Sequence, residues 1–142
     1  MNVITLPNNG TTISLNGNRL RHLAEGDSVT VTYANPRTGR VNSETGVTIH
    51  ERSDAEVATI VVNVQKYSDD DIMLSALAQS KPLTIVEGSI KSRFIVNGEE
   101  RNETFTIEAG SITDQAVDTK NSQDGNAVKS YTIESRRTKR IV

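Results

Sequence analysis

The chain has no cysteine and no tryptophan, and its 142 residues include only two phenylalanines, three tyrosines and three prolines. Without Cys there is no disulfide framework, no thiolate zinc site and no cysteine nucleophile, and a reducing compartment fits. No apolar run approaches the roughly 18 residues a membrane-crossing helix needs. The opening residues Met1 to Pro7 lack the basic region and apolar stretch of a secretion signal. No membrane anchor is therefore expected. The two histidines, His22 and His50, fall in different elements with no acidic residue at metal-ligand spacing, whereas zinc needs three or four converging ligands. Gly-rich phosphate loops and Gly-x-Ser-x-Gly elbows do not occur. The expectation is no catalytic residue, no metal and no cofactor, hence no enzyme. Tyr33, Phe94 and Phe105 fall on the apolar sides of their strands, leaving few rings to stack on sugars or bases.

What is abundant is branching at Cβ. Val, Ile and Thr together make 42 residues, against seven Leu. Such side chains lose freedom in helices and pack well on a pleated sheet, so the chain is mostly strand. Its length suits one domain with one core. Net charge is −2, but it is unevenly spread. The last seven residues hold Arg136, Arg137, Lys139 and Arg140 with no acid, whereas residues 1–135 carry 12 Lys+Arg against 18 Asp+Glu. An acidic body disfavours general nucleic-acid binding. The basic tail at 136–142 reads as a solvated end, a contact with an acidic neighbour or a short nucleic-acid arm.

Alternation locates the strands. Residues 1–26 read as two short strands or an extended segment, with turns at Asn8-Asn9-Gly10 and Asn16-Gly17-Asn18. Val29, Val31 and Tyr33 share one face of the next strand. Val47 and Ile49 resume the pattern, so these two strands are expected to pair across a polar loop at 35–46. That loop is long for a hairpin, and long loops are usually functional or disordered. Ile60 to Val64 is apolar on both faces and reads as a covered central strand. One helix is expected over 69–79. Ser68 caps it, Asp71 completes a capping-box-like pair, and Asp69, Asp70 and Asp71 favour the dipole; Ile72, Met73, Ala76 and Leu77 form its apolar stripe. Asn97-Gly98 signals a hairpin between strands carrying Ile90, Phe94 and Val96 and then Phe105 and Ile107. A further strand is expected near 112–117, then a polar loop at 118–126 and a last strand with Tyr131 and Ile133.

Two weaker patterns carry no site. Asp118-x-x-Asn121-x-x-Asp124-Gly125 lacks the alternate-residue spacing and closing Glu of a calcium loop. Asn9-Gly-Thr and Asn102-Glu-Thr match the glycosylation sequon without a secretion signal. The pattern as a whole predicts an antiparallel β-sandwich or barrel with one flanking α-helix.

Residues 55–80 (Ala-Glu-Val-Ala-Thr-Ile-Val-Val-Asn-Val-Gln-Lys-Tyr-Ser-Asp-Asp-Asp-Ile-Met-Leu-Ser-Ala-Leu-Ala-Gln-Ser) resemble a segment of bacteriophage tail tube proteins of the contractile type, relatives of the type six secretion tube protein. There a strand runs into a Ser/Asp-capped helix with Leu-x-x-Leu-like spacing, here Leu74-Ser-Ala-Leu77, and the resemblance continues over most of 27–135. It implies a structural virion protein made in the host cytoplasm. Its partner would be itself, in hexameric rings stacked into a hollow tail tube within a sheath and on a baseplate, with DNA passing through the lumen unbound. It implies that the early loop reaches the adjacent ring, which places Asn35, Pro36, Arg37, Arg40, Asn42 and Glu44 there. Thr30, Thr32, Thr48, Thr104, Thr106 and Glu108 become lumen candidates, and Arg136, Arg137, Lys139 and Arg140 inter-subunit charges. The alternatives are another small tail component (a tube terminator, a baseplate hub part or a secreted tube protein) or a soluble carbohydrate- or protein-binding module.

Overall fold

The computed structural model describes residues 1–7, 10–120 and 128–142. The first expected turn, the end of the polar loop, the Asn9 sequon and most of the calcium-like pattern lie outside the described residues. Within them the chain forms β1 (Ile4–Thr5), β2 (Thr11–Leu15), β3 (Asn18–Arg19), β4 (Val29–Tyr33), β5 (Thr38–Ser43), β6 (Gly46–Glu51), β7 (Ala58–Gln65), α1 (Asp69–Gln79), β8 (Val86–Val96), β9 (Glu99–Ile112), β10 (Val128–Ser135) and β11 (Arg140–Ile141). Nine strands make one antiparallel sheet in the order β3-β2-β8-β9-β10-β7-β4, with β1 on β8 and β11 on β9. The fold is thus mainly antiparallel β with a single helix against it, as the composition requires.

The register sorts the side chains. Val29, Val62 and Tyr131 form one rung across β4, β7 and β10, and Val31, Ile60 and Ile133 form another. On the β8 side, Ile13, Ile90 and Phe105 align. These two inward faces meet in a core of Ile13, Leu15, Ile60, Val62, Val64, Leu74, Val86, Ile107, Tyr131 and Ile133, each at most 2% exposed. Residues 11–24 contribute Ile13, Leu15, Leu20 and Ala24 to this core, whereas Val3, Ile4 and Leu6 stay exposed. β7 is buried on one face only, and it lies beside the edge strand β4 rather than at the sheet's centre. Its outward Thr59, Val61 and Asn63 are half-buried, so the expectation of a strand covered on both sides fails.

β9 is the seam. It is paired with β8 from Glu99 onward, kinks at Glu108 and Ala109, where Ala109 has a φ of 49°, and ends beside β10. The expected separate strand at 112–117 is absent because β9 itself runs to Ile112. The kink is matched on β8, where Gly88 allows close approach; a Cβ there would sit 1.9 Å from Ser14 O. Asn97 and Gly98 both have positive φ, at 50° and 81°, as the tight hairpin between β8 and β9 demands.

The helix has the expected bounds, and Ser68 Oγ accepts the Asp71 N–H at 3.3 Å. Its inward stripe is rotated from the expected one. Leu74 is fully buried with Met73, Leu77 and Ala78 beside it, while Ile72 is 63% exposed and Ala76 faces out. The rotation follows from Asp70 and Asp71, which turn inward and are each 6% exposed. Asp70 Oδ2 accepts the N–H groups of Arg21 and His22 at 2.8 and 2.5 Å. Asp71 accepts the Tyr67 N–H at 2.9 Å through Oδ2 and the Tyr131 hydroxyl at 2.6 Å through Oδ1. Two of the three acids are therefore buried acceptors and not simply dipole partners. Replacing Asp71 with Ala leaves the buried Tyr131 hydroxyl only its longer bond to the carbonyl of residue 71, at 3.3 Å, and removes the acceptor of the Tyr67 N–H. We therefore expect a loss of about 1–3 kcal/mol in urea unfolding. Asp69→Ala, at the exposed position, is expected to cost less than about 1 kcal/mol.

Candidate functional site

The expected pairing of 27–33 with 47–50 does not form. Among the described residues β4 pairs only with β7, and most of the segment read as a loop is itself a strand, β5, which pairs with β6 in a separate two-stranded ribbon. The alternation of Val47 and Ile49 was legible; its partner was not, because Thr38 to Ser43 contains one apolar residue, Val41, among polar ones. The ribbon turns at Ser43–Gly46, and the Arg52 N–H donates to Arg37 O at 3.0 Å at its root. Val41, Val47 and Ile49 are 61%, 57% and 56% exposed. Within its twelve strand residues only Gly39 is even half-buried. An isolated two-stranded ribbon is marginal in water, so this arm projects apolar side chains that its own chain does not cover.

The predicted loop residues divide along this arm. Asn35, Pro36 and Arg37 sit at its root, where Asn35 Nδ2 donates to Asp54 O at 3.2 Å. Arg40 and Asn42 lie on β5, on the same face as Val47 and Ile49, and Glu44 is in the tip turn. All but Asn35 are exposed.

The lumen candidates do not gather on one surface. Thr30 and Thr32 are exposed on β4 and share outward rungs with Val61 and Thr132, and with Thr59 and Glu134. Thr104 and Thr106 lie on β9 opposite Lys91 and Ser89, with β10 and β7 between them and β4 in the sheet order. Thr106 Oγ1 is engaged by its own chain, accepting the Lys139 N–H at 3.0 Å. Thr48 is on the arm and Glu108 at the β9 kink, both exposed.

The basic tail is a strand rather than a free end. It follows β9 in the register that β10 begins: Ile112 opposite Ile133, Glu108 opposite Arg137, and Phe105 opposite Arg140. Arg137 pairs with Glu56 at 2.6 Å and Arg140 with Glu103 at 2.5 Å, both within the chain. Arg136 and Lys139 are exposed and make no ion pair among the described residues.

Where the arm's root meets this tail, a groove of about 760 Å³ opens. Its walls include Tyr33, Arg37, Glu56, Thr138 and Lys139. The Tyr33 hydroxyl donates to Thr138 O at 3.0 Å. Burial, with the nearby Glu56 carboxylate, raises the Tyr33 pKa from its ordinary value, so the hydroxyl stays a neutral donor. The Thr138 hydroxyl oxygen is buried and has no hydrogen-bond partner. Sequence reasoning missed this groove because its walls come from segments about a hundred residues apart.

A second titratable cluster lies beyond α1's start. Asp118 bridges Lys66 at 2.7 Å and Lys120 at 2.8 Å, and the Lys120 ammonium also donates to the Tyr67 hydroxyl at 3.1 Å. Lys120 and then Lys66 hold the Asp118 carboxyl well below the usual carboxylate range. Ion pairs of this kind fasten segments and offer no reacting pair. Groups of three or more His, Asp or Glu able to hold a metal do not occur among the described residues.

No protein-family profile matches the chain, and no curated protein matches it either. Solved structures do. A chain of the PVC sheath-tube complex in its extended state, from an extracellular contractile injection system, superimposes with a TM-score of 0.64 at 11% identity over 97% of this chain and 92% of that one. A chain of the anti-feeding prophage baseplate gives 0.53 at 7% identity over 92% and 90%. The architecture of this chain is the one found in those contractile injection assemblies, in agreement with the tail-tube-like fold that the sequence suggested.

The Asp118 cluster yields a pH prediction. A depressed folded pKa contributes stability above the unfolded value, near 4, and loses it as the pH falls toward the folded one. Asp118→Asn should therefore lower the urea midpoint by the same amount at pH 7 and pH 5, and its deficit relative to the parent should shrink in measurements at pH 4 and then pH 3.

Proposed function

We propose that this protein is a structural subunit of the tail tube of a contractile phage-like particle. In this reading, hexameric rings stack into a hollow conduit within a sheath and upon a baseplate. The observation that carries the proposal is the free-standing β5–β6 arm, which projects three exposed aliphatic side chains from a fold shared with contractile injection assemblies. A ribbon that cannot bury its own apolar groups is stabilised by a neighbour that can. The outer edge of β4, unpaired among the described residues, is a second invitation to a partner, since unpaired backbone groups at a sheet edge template pairing with another strand.

The conduit reading assigns the hydroxyl-lined outward face of β4, β7 and β10 to the lumen, with Thr30, Thr32 and Thr132 presenting small polar groups that give passing cargo little to hold. In a phage tail that cargo is DNA. The likeness to a baseplate chain favours a second reading, a single-ring component at the end of such a tube. The two differ in length: a tube subunit polymerises alone, and a terminal component stops at one ring.

The arm is the test. Excising 38–51 and joining Arg37 to Arg52 through two glycines uses a root already closed by a backbone hydrogen bond. Thermal unfolding should be unchanged within about 0.5 kcal/mol, the usual scale for exposed positions. By negative-stain microscopy, filaments with a central channel, present in the parent at high concentration, should be lost. Normal tubes from the excised protein count against the arm's role, and a parent that stays monomeric counts against the function.

A further inference from the structure

We propose that the groove at the arm's root is the socket for an acidic turn, Glu25-Gly26-Asp27, on a second copy of this chain. The contact rests on the tube reading above and supplies an axial bond between copies. The two surfaces are complementary in charge. Arg37, Arg52, Lys139 and Arg140 line the groove against only Glu51 and Glu56. Arg37 and Lys139 make no ion pair among the described residues, although the body of the chain carries an excess of acid. Glu25 and Asp27 are exposed, and they too are unpaired among the described residues.

The turn is held ready. Asn63 on β7 clamps it from both sides: its carbonyl accepts the Ala24 N–H at 2.9 Å, its Nδ2 donates to Asp27 O at 2.6 Å, and its N–H donates to Ser28 O at 2.8 Å. Gly26 takes a φ of +80°, and a Cβ there would meet nothing within 4 Å, so the knuckle stands clear. Two carboxylates fixed on a rigid backbone spend little entropy on docking. The socket also has an unmet need, the buried and unpartnered Thr138 hydroxyl in its wall, which an incoming carboxylate or backbone group can satisfy after a small local opening.

Placement decides which copy supplies the turn. β4 starts at Val29, two residues after Asp27, and ends at Tyr33 in the groove wall. The turn and the socket therefore lie at opposite ends of one strand about 17 Å long. The turn cannot reach its own groove. Displacing a second copy along the strand direction brings its turn to the first copy's groove, and each copy keeps one of each free. This is a heterologous contact, which propagates.

The experiment uses the full chain with two charge-reversed variants, Arg37→Glu with Lys139→Glu and Glu25→Lys with Asp27→Lys. All four side chains are exposed, and circular dichroism checks that the monomers stay folded. Assembly is followed by light scattering and negative-stain microscopy. Each variant alone should need about tenfold more protein than the parent to assemble, or fail to assemble. Mixing the two variants, or combining all four substitutions in one chain, should restore assembly. If the parent assembles and the variants match it, the socket is wrong and the tube reading stands. Loss in both variants without rescue in the combination also overturns the socket. Double-stranded DNA binding the parent but not Arg37→Glu with Lys139→Glu assigns the groove to nucleic acid and does the same. A parent that never assembles removes the tube reading and this contact together.

Discussion

The fold depends on β9 satisfying backbone partners on both of its edges. One edge pairs with β8 from Glu99 to Gly110, and the other takes β10 and then the C-terminal strand in a single register. The half of the main sheet built on β8, with β1, β2 and β3, joins the half built on β10, with β7 and β4, through this one strand. Without the kink at Glu108 and Ala109, the β8 side and the β10 side would continue as a flat sheet with an uncovered apolar face. The kink lets Ile107 and Ile112 both point inward. A bulge costs a ladder position and a left-handed Ala109. The burial of two apolar faces against each other offsets that cost.

The same constraint explains what the sequence reveals and what it hides. Asn97-Gly98, the alternation in β4, β8 and β10, and the bounds of α1 are local facts about turn chemistry, period and capping, and they are readable from neighbouring residues. Orientation and partnership are not local. Ile72 and Ala76 have the spacing of a core stripe. They lose that place because Asp70 and Asp71 find acceptor roles against Arg21, His22 and Tyr131, between 48 and 60 residues away. A carboxylate with several N–H and O–H donors is stable where a bare one is not, and no residue adjacent to Asp70 announces those donors. The basic tail is a similar case. Its charge pattern read as a solvated end, a nucleic-acid arm or a contact with an acidic neighbour, yet its backbone belongs to the β9 edge and two of its arginines to Glu56 and Glu103.

The candidate site was legible by anomaly rather than by motif. An over-long connection between two strands marked the segment that departs from the body, though its identity as a ribbon was concealed by polar residues at 38–43. That polarity is itself informative. Arg40 and Asn42 stand beside Val47 and Ile49 on one face, so the arm is half apolar and half hydrogen-bonding. A protein core would reject that mixture, and a pure hydrophobic patch would aggregate in the free subunit. A mixed face suits a surface that must be tolerated in water before it is covered by a neighbour, because its polar groups remain solvated until the aliphatic groups are buried.

In the proposed tube, sheet edges would set the direction of growth. The tail strand covers one flank of β9, while β4 at the end of the sheet has an edge left open among the described residues. The arm leaves the body immediately after β4, and the acidic turn immediately precedes it. One short strand therefore has a backbone edge along its side, a charged knuckle before its start and an apolar arm after its end. Lateral pairing uses backbone hydrogen bonds, which are indifferent to side-chain charge. Contacts at the two ends use charge and aliphatic burial, which fix polarity and register. In the proposed assembly, carrying both kinds of valence around a single element would let a subunit close sideways into a ring and still extend along the axis. If every free edge and apolar face lay on one flank, the chain would stop at a dimer.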